Sequence, residues 1–584
     1  MHRLAATPGG WNLDDGVVFI EQTPAPIVLL TAADTDIQTL AHAITDLPTD
    51  FPALRVVNLL HLQQSMTIDQ YAEDVLAHAQ VIIIRLLGGR AYWSYGLEVV
   101  AETVQRTGAA LIVLPGDDRP DADLMSHSTV PLSVANRLWR YLVEGGSQNV
   151  TQALQFIAAA CLGRSDRPLP PQPVPPVGLY NWQTDADNSN SEFGIRNSEF
   201  PKVGILFYRA HFLAGNTAPI DALCQALHQR HLAPVPVFVS SLRDADVQAE
   251  IRDCFQPKGE SAIDVLLNTT SFSLAKLDTQ TPQLELWQQL NVPVLQVILS
   301  GGTIEQWQTQ SRGLSPRDMA MNVALPEVDG RIISRAVSFK AVQSRHPLLE
   351  TDVVHYQPVD DRVQFVADLA ANWVRLRQTP VGDRRIALIL ANYPTRDGRL
   401  ANGVGLDTPA SCVEILRTLQ HAGYHVETPP ETADDLMQRL TAGITNDPEG
   451  RELRPVHQSV SLEDYQTYAA TLPDAVQHGI RQRWGSQDAT AFPISGVQLG
   501  NVFIGIQPAR GYDQDPSLNY HAPDLEPTPA YLAFYYWVRQ QFRADAIVHV
   551  GKHGNLEWLP GKSIALSDAC YPEVAIGPVP HLYP

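Results

Sequence analysis

The chain has 584 residues, 44% hydrophobic and 8% aromatic, and carries a formal net charge of -21 at pH 7. This composition is typical of a folded protein with sizeable cores, and its acidity excludes general nucleic-acid binding, which needs a basic surface. Five cysteines, an odd number with no Cys-x-x-Cys pair, argue against a disulfide framework or a zinc knuckle. No apolar run approaches the roughly 20 residues of a membrane helix and no export signal begins the chain, so we expect a cytoplasmic protein without a membrane span.

Residues 1–165 are predicted to form an N-terminal α/β domain. Short apolar runs at 26–30, 81–85 and 110–114 predict buried strands. Helical periodicity lies between these strands and again from 133 to about 162. Strands that alternate with helices in this way indicate βαβ units and a parallel sheet.

Residues 166–200 are predicted to be a proline-rich linker with a disordered insertion. The stretch 168–176 is dominated by proline, which favours an extended spacer. Asn-Ser-Glu-Phe then occurs twice, at 190–193 and 197–200. Two copies are too few for a coiled coil, so we interpret the repeat as an insertion at an exposed site.

Two further α/β domains are predicted at 201–345 and 385–584, joined by a helical connection at 346–384. Helices are expected at 219–228 and 410–422. The predicted strands are 203–208, 235–239, 265–267, 294–299, 385–390, 502–506 and 546–550. The predicted fold class is therefore multidomain α/β, with several parallel-sheet βαβ units and helical connections.

Several loops that follow these strands carry more charge than a simple connection requires. They are the loops at 209–217, 391–409, 507–521 and 549–562. Open α/β sheets bind their ligands beyond the carboxyl ends of the strands, and loops on a rigid scaffold commonly carry function. We therefore expect these loops to contribute to a binding or catalytic site.

The segment 546–562 is the most informative part of the sequence. A strand ends at Val550, Gly551 and Gly554 break the chain, and a short helix is predicted to begin at the N-cap residue Asn555. Two imidazoles and a carboxylate lie in this turn: His549, His553 and Glu557. Such groups suit either a first-row transition metal or a set of proton-transfer residues.

The same segment does not contain a phosphate-binding loop, although Gly561-Lys562-Ser563 looks like the end of one. The motif Gly-x-x-x-x-Gly-Lys-Ser/Thr requires glycine at position 556, where the chain has Leu556. Nucleotide hydrolysis by that route is therefore not expected.

The chain resembles the large subunits of the class I chelatases, the family of the CobN subunit of aerobic cobaltochelatase and the large subunit of magnesium chelatase. The matching stretches occur in the family's order and span most of the chain: GGRAYW (88–93), VGILFYRAH (203–211), AGNT (214–217), ANYP (391–394), DGR (397–399), NGVGLDT (402–408), QPARGYD (507–513) and HVGKHGNLEWLPGK (549–562). The stretch 564–572 is more similar to the cobalt branch than to the magnesium branch.

The resemblance implies a porphyrinoid-binding, metal-inserting subunit that places cobalt, its substrate ion, in hydrogenobyrinic acid a,c-diamide. It implies that His549, His553 and Glu557 are catalytic and hold the incoming metal. The implied substrate-binding residues are the cations that would pair with the macrocycle's carboxylates and the aromatic rings that would stack on its face: Arg396, Arg399, Arg510, Lys552, Lys562, Tyr512 and Trp558.

The resemblance also implies partners. Because the chain lacks a phosphate loop, ATP and magnesium are expected to act through AAA+ ATPase subunits of the family. Two alternatives remain open: a magnesium chelatase large subunit acting on protoporphyrin IX, and a tetrapyrrole-binding scaffold without turnover.

The chain departs from the family pattern in two respects. Family members are much longer, so we expect this chain to be an N-terminal portion of the protein or of a split gene. Lys552 stands where a small hydroxyl residue is expected.

Overall fold

The computed structural model of the protein describes residues 19–182, 200–259, 261–274, 284–392, 396–403, 405–485, 489–512, 522–551 and 555–583. The chain divides into two compact units. One is taken from residues 1–310 and 314–363, and the other from residues 311–313 and 364–584.

The first unit contains two sheets, of which the first has four strands. They are β1 (Ile27–Thr31), β2 (Leu54–Asn58), β3 (Val81–Leu86) and β4 (Ala110–Pro115). All four are parallel, in the order β2-β1-β3-β4. The accompanying helices are α1 (Asp34–Ala43), α2 (Ser65–Asp74), α3 (Ser94–Thr107), α4 (Ala122–Met125), α5 (Leu132–Glu144) and α6 (Gly146–Leu162). The 3₁₀ turns are Ile44–Asp46, Leu59–Leu62, Leu76–His78 and Arg90–Tyr92. An apolar core lies on each face of the sheet, which explains why its strands are almost wholly apolar.

The second sheet of the first unit has seven strands. They are β5 (Val177–Leu179), β6 (Lys202–Tyr208), β7 (Ala233–Val239), β8 (Val265–Asn268), β9 (Val294–Leu299), β10 (Ile332–His346) and β11 (Thr351–Pro358). The order is β11-β10-β9-β8-β6-β7-β5, and only the outermost pairs, β11 with β10 and β5 with β7, are antiparallel. The helices are α7 (Arg209–Leu213), α8 (Ala218–His228), α9 (Ala245–Phe255), α10 (Glu285–Leu290), α11 (Ile304–Thr309), α12 (Pro316–Met319) and α13 (Leu325–Val328), with a π-helical turn at Ala320–Ala324.

The second unit is built on a five-stranded sheet. Helix α14 (Asp360–Gln378) leads into it. Its strands and those of two small hairpins are β12 (Ile386–Leu390), β13 (Asn402–Gly403), β14 (Leu406–Asp407), β15 (Ser459–Ser461), β16 (Ala491–Pro493), β17 (Gly496–Leu499), β18 (Val502–Ile506), β19 (Ala546–Val550) and β20 (His581–Leu582). The five-stranded order is β17-β18-β12-β19-β20, and only β17 is antiparallel to its neighbour.

The helices of the second unit cover both faces of that sheet. They are α15 (Thr408–His421), α16 (Ala433–Ala442), α17 (Leu462–Ala469), α18 (Asp474–Trp484), α19 (Pro529–Tyr536) and α20 (Tyr571–Ile576). Shorter turns are Val381–Asp383, Asp397–Arg399, Arg451–Leu453, Trp537–Gln541 and Leu556–Trp558. Among the helices of the described ranges, none has the length and apolarity needed to cross a membrane.

The α/β prediction is confirmed, and each predicted strand is present within one or two residues of its expected bounds. These strands were predictable because their apolar runs are continuous and both faces are buried. The helical region predicted from 133 to about 162 is present and consists of two helices, α5 and α6. Gly145 separates them with a φ of 69°, a conformation that glycine adopts without strain.

Ten of the twenty strands in the described ranges were not predicted: β2, β5, β10, β11, β13 to β17 and β20. Two of these strands lie in segments that were predicted to be a linker and a helical connection. Val177–Leu179 forms edge strand β5 inside the predicted linker 166–200, and residues 183–199 of that linker lie outside the described ranges. Strand β11 lies in the predicted helical connection 346–384, where only α14 supplies the expected helix. Strand β5 is too short to give a periodic signal. The β10–β11 pair contains polar residues that are buried in the structure, among them Ser338 and Lys340. These residues interrupt the apolar pattern from which a buried strand is predicted.

Candidate functional site

The carboxyl ends of three parallel strands of the second unit meet at one edge of its sheet. Leu390 of β12 pairs with Ile506 of β18 and with Val550 of β19, so the three strands end level. The loops that follow these strands carry the residues predicted from 391–409, 507–521 and 549–562. The structure therefore brings the described parts of these loops to one edge of a parallel sheet, where open α/β sheets bind ligands, and their role as a site stays a prediction.

His549 lies in β19, one residue before the strand ends, and its side chain is buried at 3% exposure. Its Nε2 atom is 2.8 Å from the hydroxyl of Tyr535, and its Nδ1 atom is 2.7 Å from Nε2 of His581. Burial, with a smaller contribution from His581, lowers the pKa of His549 to about 3, and burial lowers the pKa of His581 to about 4. Both imidazoles are therefore neutral at neutral pH.

These hydrogen bonds bear on the predicted metal-binding role of His549. Both ring nitrogens have a partner, so the imidazole has no lone pair to offer a metal ion in this arrangement. A role as metal ligand stays a prediction that requires one of the two bonds to open. Within the described ranges, no three His, Cys, Asp or Glu side chains are arranged to hold a metal, and the predicted ligand His553 lies outside those ranges, as does Lys552.

His581 connects His549 to the exposed carboxylate of Glu557. Strand β20 places His581 beside β19, where it pairs with Ile547. The His581 ring stacks on Tyr583 with a centroid distance of 6.0 Å and an interplanar angle of 22°. The Tyr583 hydroxyl is 3.3 Å from Oε2 of Glu557 and donates to that carboxylate. The four side chains thus form a continuous series from the buried strand to the exposed turn.

A second set of buried polar groups holds the start of this turn. The backbone N–H of Asn555 donates to Oε1 of Gln507 at 3.0 Å, and the Asn555 side chain donates to the carbonyl of Pro508, also at 3.0 Å. The Tyr531 hydroxyl donates to Oδ1 of Asn555 at 2.8 Å. The predicted short helix begins directly after Asn555, as a single 3₁₀ turn, but the Asn555 side chain does not cap this turn and bonds to another element instead.

Arg510 was predicted to bind substrate carboxylates, and the structure places it differently. Its side chain is fully buried, and its guanidinium donates to the backbone carbonyls of Trp558 and Ala522. A buried guanidinium bound to carbonyls fixes the loops around it and is not available to a ligand. In this arrangement Arg510 holds the half-buried Trp558, and the predicted substrate-binding roles of both residues stay predictions.

The other predicted cations and aromatics differ in accessibility. Arg396 is 57% exposed and pairs with Asp447 at 3.0 Å, and Arg399 is exposed in the turn Asp397–Arg399. Tyr512 is half-buried, and its hydroxyl donates to the carbonyl of Asn392 at 3.4 Å. The structure therefore keeps Arg396 and Arg399 accessible to an anionic ligand.

Lys562 follows Gly561, which lies in close contact with Cys570 of a second loop segment. A side chain at Gly561 would place its Cβ 2.9 Å from Cβ of Cys570, so glycine is required there. The backbone N–H groups of Lys562 and Ser567 both donate to Sγ of Cys570 at 3.3 Å. Burial lowers the pKa of the half-buried Lys562 side chain, and the nearby Cys570 raises it by less.

Four residues of this site were not predicted. Tyr535 and Tyr531 lie four residues apart in α19, a spacing that puts both hydroxyls on one helix face, and this was a usable signal. His581 and Tyr583 follow a proline, without an apolar run or a glycine turn to mark them. The loop 209–217 belongs to the first unit, so its contribution to the site stays a prediction.

Comparison with known proteins supports the chelatase resemblance. The CobN/Magnesium Chelatase family model matches residues 139–584. The CobN subunit of the aerobic cobaltochelatase of Pseudomonas aeruginosa is 43% identical over 590 residues, which covers 100% of this chain and 47% of that protein. The corresponding magnesium-chelatase subunit of Cereibacter sphaeroides is 28% identical over 478 residues, which covers 76% of this chain and 38% of that protein.

A solved structure agrees with these matches. The catalytic subunit of cobaltochelatase from Mycobacterium tuberculosis superposes with a TM-score of 0.70 at 30% identity, covering 96% of this chain and 45% of that one. The chain spans about half the length of the curated CobN relative that it matches. On the family match over more than half its residues and the similarity to CobN along all of it, the chain belongs to the CobN/magnesium chelatase family.

Proposed function

We propose that this chain forms the tetrapyrrole-binding, metal-inserting part of an ATP-dependent aerobic cobaltochelatase that inserts cobalt into hydrogenobyrinic acid a,c-diamide in cobalamin biosynthesis. The similarity supports cobalt, since identity is 43% over the whole chain to a CobN subunit and 28% over 76% of it to a magnesium chelatase subunit. The observation that carries the proposal is the series His549, His581, Tyr583 and Glu557 at the carboxyl edge of a parallel sheet.

The chemistry of metal insertion requires a proton acceptor. Cobalt insertion breaks the inner N–H bond of the corrin macrocycle and forms bonds from its four nitrogens to cobalt, and the proton leaves as the ion loses its water. Glu557 is an exposed carboxylate oriented by the Tyr583 hydroxyl, so we assign it the acceptance of a proton. His549 and His553 remain the proposed imidazoles for holding cobalt or taking a proton.

The periphery of the substrate carries carboxylates, which cationic side chains can recognise. Arg396 and Arg399 are exposed and can form bidentate pairs with such groups. Lys552 and Lys562 are the further proposed cations. Tyr512 and Trp558 are the proposed aromatic contacts to the macrocycle face.

ATP hydrolysis is assigned to partner subunits. Leu556 occupies the position where a phosphate-binding loop needs glycine, and Pro560 stiffens the same segment. We therefore propose that AAA+ ATPase subunits bind ATP and magnesium and act on this chain. The five cysteines are all free thiols, which supports a cytoplasmic site of action.

The choice between cobalt and magnesium chelation is tested by ligand affinity. The purified chain is titrated with hydrogenobyrinic acid a,c-diamide and with protoporphyrin IX, and quenching of tryptophan fluorescence is followed. We expect tighter binding of hydrogenobyrinic acid a,c-diamide. Tighter binding of protoporphyrin IX would contradict the proposal and favour the magnesium branch.

The proton-accepting role of Glu557 is tested by Glu557→Gln, which removes the basic carboxylate and keeps the side-chain shape. We expect cobalt insertion by the complete system with its ATPase partners to fall about 100-fold, the usual effect of losing a general base. Tetrapyrrole affinity should change little. The matched control is Glu463→Gln, an exposed glutamate in the first turn of α17. Unchanged insertion by Glu557→Gln would contradict the proton-accepting role of Glu557.

A further inference from the structure

The crevice between β12 and β19 is the topological switch point of the five-stranded sheet. From β12 the chain passes to β17 and β18 on one side of that strand, and then to β19 on its other side. Open α/β sheets bind ligands at such a point, beyond the carboxyl ends of the strands. Helix α15 begins at this crevice, since a Cβ atom at Gly551 would lie 3.3 Å from Cβ of Ala391 and 4.0 Å from Cγ2 of Thr408.

Two polar side chains at the crevice are buried without a hydrogen-bond partner. Thr408, the first residue of α15, is fully buried, and its Oγ1 atom bonds to no group in the described ranges. Asn392, two residues after β12, is 4% exposed, and its Oδ1 atom has no partner in those ranges either. A buried polar atom without a partner destabilises a fold, so each such atom calls for an explanation. Recognition of a polar ligand group explains both atoms.

The Thr408 hydroxyl faces the small hairpin of β13 and β14. A Cβ atom at Gly403 would lie 3.1 Å from Oγ1 of Thr408, which is the nearest atom to that position. Gly403 is half-buried, and Leu406, its partner across the hairpin, is exposed. The hairpin is paired over two residues of each strand, so its displacement costs much less free energy than unfolding the sheet. A ligand group reaches Thr408 when this hairpin moves.

The chemistry of the crevice favours a carboxamide over a carboxylate. A helix N-terminus attracts anions, but the Asp407 carboxylate already occupies the N-cap of α15 and accepts from the N–H of Ala410 at 3.0 Å. A primary carboxamide presents an N–H donor to Oδ1 of Asn392 and a carbonyl acceptor to the hydroxyl of Thr408. A carboxylate has no donor for Asn392, and the negative charge of Asp407 opposes its approach.

We infer that Asn392 and Thr408 bind a peripheral carboxamide of the macrocycle and thereby discriminate hydrogenobyrinic acid a,c-diamide from its unamidated parent, hydrogenobyrinic acid. The inference rests on the proposed function, because it takes the ligand of this edge to be that tetrapyrrole. Arg396 and Arg399 stay the proposed partners of the remaining carboxylates. Asn392 and Thr408 contact the periphery and not the reacting atoms, so they determine specificity and are not catalytic residues.

The inference is tested by titrating the purified chain with each of the two compounds and following the quenching of tryptophan fluorescence. We expect the unmodified chain to bind the diamide at least about tenfold more tightly than the parent acid, the usual effect of leaving buried hydrogen-bonding groups unpaired. Thr408→Val and Asn392→Leu keep the side-chain size and remove the polar atoms. Each should weaken binding of the diamide about tenfold and change binding of the acid much less.

The matched control is Thr418→Val, which lies in the same helix. Thr418 is exposed, and its hydroxyl donates to the carbonyl of Glu414 within α15. This variant should keep the full preference for the diamide.

The stability of the unliganded chain separates ligand binding from a merely structural role. Thr408→Val and Asn392→Leu each remove a buried polar atom that has no partner in the described ranges, so the urea midpoint should stay unchanged or rise. Replacing a residue that serves only the fold lowers this midpoint. A lower midpoint in both variants would therefore contradict the inference, and weaker binding at an unchanged or higher midpoint would support it.

The possible results also separate the inference from the proposed function. Failure of the unmodified chain to bind hydrogenobyrinic acid a,c-diamide would overturn the proposed function, and with it this role of the crevice. Equal affinity for the two compounds, or tighter binding of the parent acid, would overturn the carboxamide recognition alone. A preference for the diamide that is unchanged in both Thr408→Val and Asn392→Leu would overturn its assignment to these two residues.

Discussion

His549 shows how strongly the role of a single residue depends on partners that its local sequence does not contain. The apolar run and the following glycine predicted its place at a strand end, and the structure confirms it. Tyr535 and His581 lie 14 and 32 residues away in the chain, and they occupy both of its ring nitrogens. A sequence motif identifies the residues of one loop. It does not identify the side chains of other elements that contact that loop in the fold.

Arg510 gives the same lesson for a charged residue. Guanidinium chemistry made a carboxylate partner a reasonable prediction. Whether an arginine faces solvent or a loop interior depends on tertiary packing, and here the backbone carbonyls of Trp558 and Ala522 surround it. Arg396 and Arg399, predicted by the same reasoning, are exposed.

The two buried imidazoles make the stability of the protein depend on pH. Their pKa values are about 3 and about 4 in the folded protein, against an ordinary value near 6.5 in the unfolded chain. Between these values the unfolded chain binds protons that the folded protein does not, so the stabilisation is complete above about pH 6.5 and is lost as the pH falls. At about pH 5 the expected loss is on the order of 2 kcal/mol for each imidazole.

The measurement is urea unfolding at about pH 7.5 and about pH 5, for the unmodified chain and for the double variant His549→Gln, His581→Gln. The double variant should lose less stability on acidification. Burial also lowers the pKa of His61 and of His346, and both proteins retain these two residues, so their contribution cancels in the comparison. Equal losses in the two proteins would show that the imidazole pair is not responsible.

At the scale of elements, the strands with continuous apolar runs were predictable, and the short or polar strands and the turns were less so. Continuous apolar runs identify strands such as β12, β18 and β19, because both of their faces are covered. The turn after β19 depends instead on hydrogen bonds from Gln507 and Tyr531, which belong to other elements. This is why the predicted helix at Asn555 is a single 3₁₀ turn.

In the loop after β18, the conformation of the chain requires glycine at position 511, where there is no space for a side chain. Gly511 has a φ of 121°, and a Cβ atom there would lie 2.1 Å from Cη2 of Trp484. Gly511→Ala would therefore strain the backbone and push the loop, including the adjacent Arg510, away from the indole. We expect the free energy of unfolding to fall by about 1–3 kcal/mol in urea denaturation.

A matched control is Gly398→Ala, since Gly398 has an ordinary φ and a Cβ there would meet nothing within 4 Å. It should change the stability little. Combining Gly511→Ala with Trp484→Leu should restore part of the stability that the single variant loses, because it removes the clashing ring. A Gly511→Ala variant as stable as the unmodified chain would contradict this prediction, because the loop would then accommodate the methyl group without strain.

At the scale of the whole molecule, composition and strand pattern predicted the fold class but did not indicate that the chain forms two compact units. The α/β architecture follows from alternating apolar runs and helices. The two compact units do not follow from any signal that the sequence displays, because strands β5 to β11 join one sheet across a proline-rich segment and a polar hairpin. Contacts between residues that are distant in sequence determine which strands join one sheet, and a local sequence pattern gives no information about such contacts.

Strand β20 has a consequence for how the site empties and fills. In the described part of the chain it pairs over two residues with β19 alone, and it carries His581. Opening of such a short pairing costs much less free energy than unfolding the sheet behind it. Its opening would separate His581 from His549 while β12, β18 and β19 stay paired. If the proposed tetrapyrrole binds at this edge, its occupancy and the local order of residues 580–583 are thermodynamically linked, and binding reduces the motion of the strand without altering the fold.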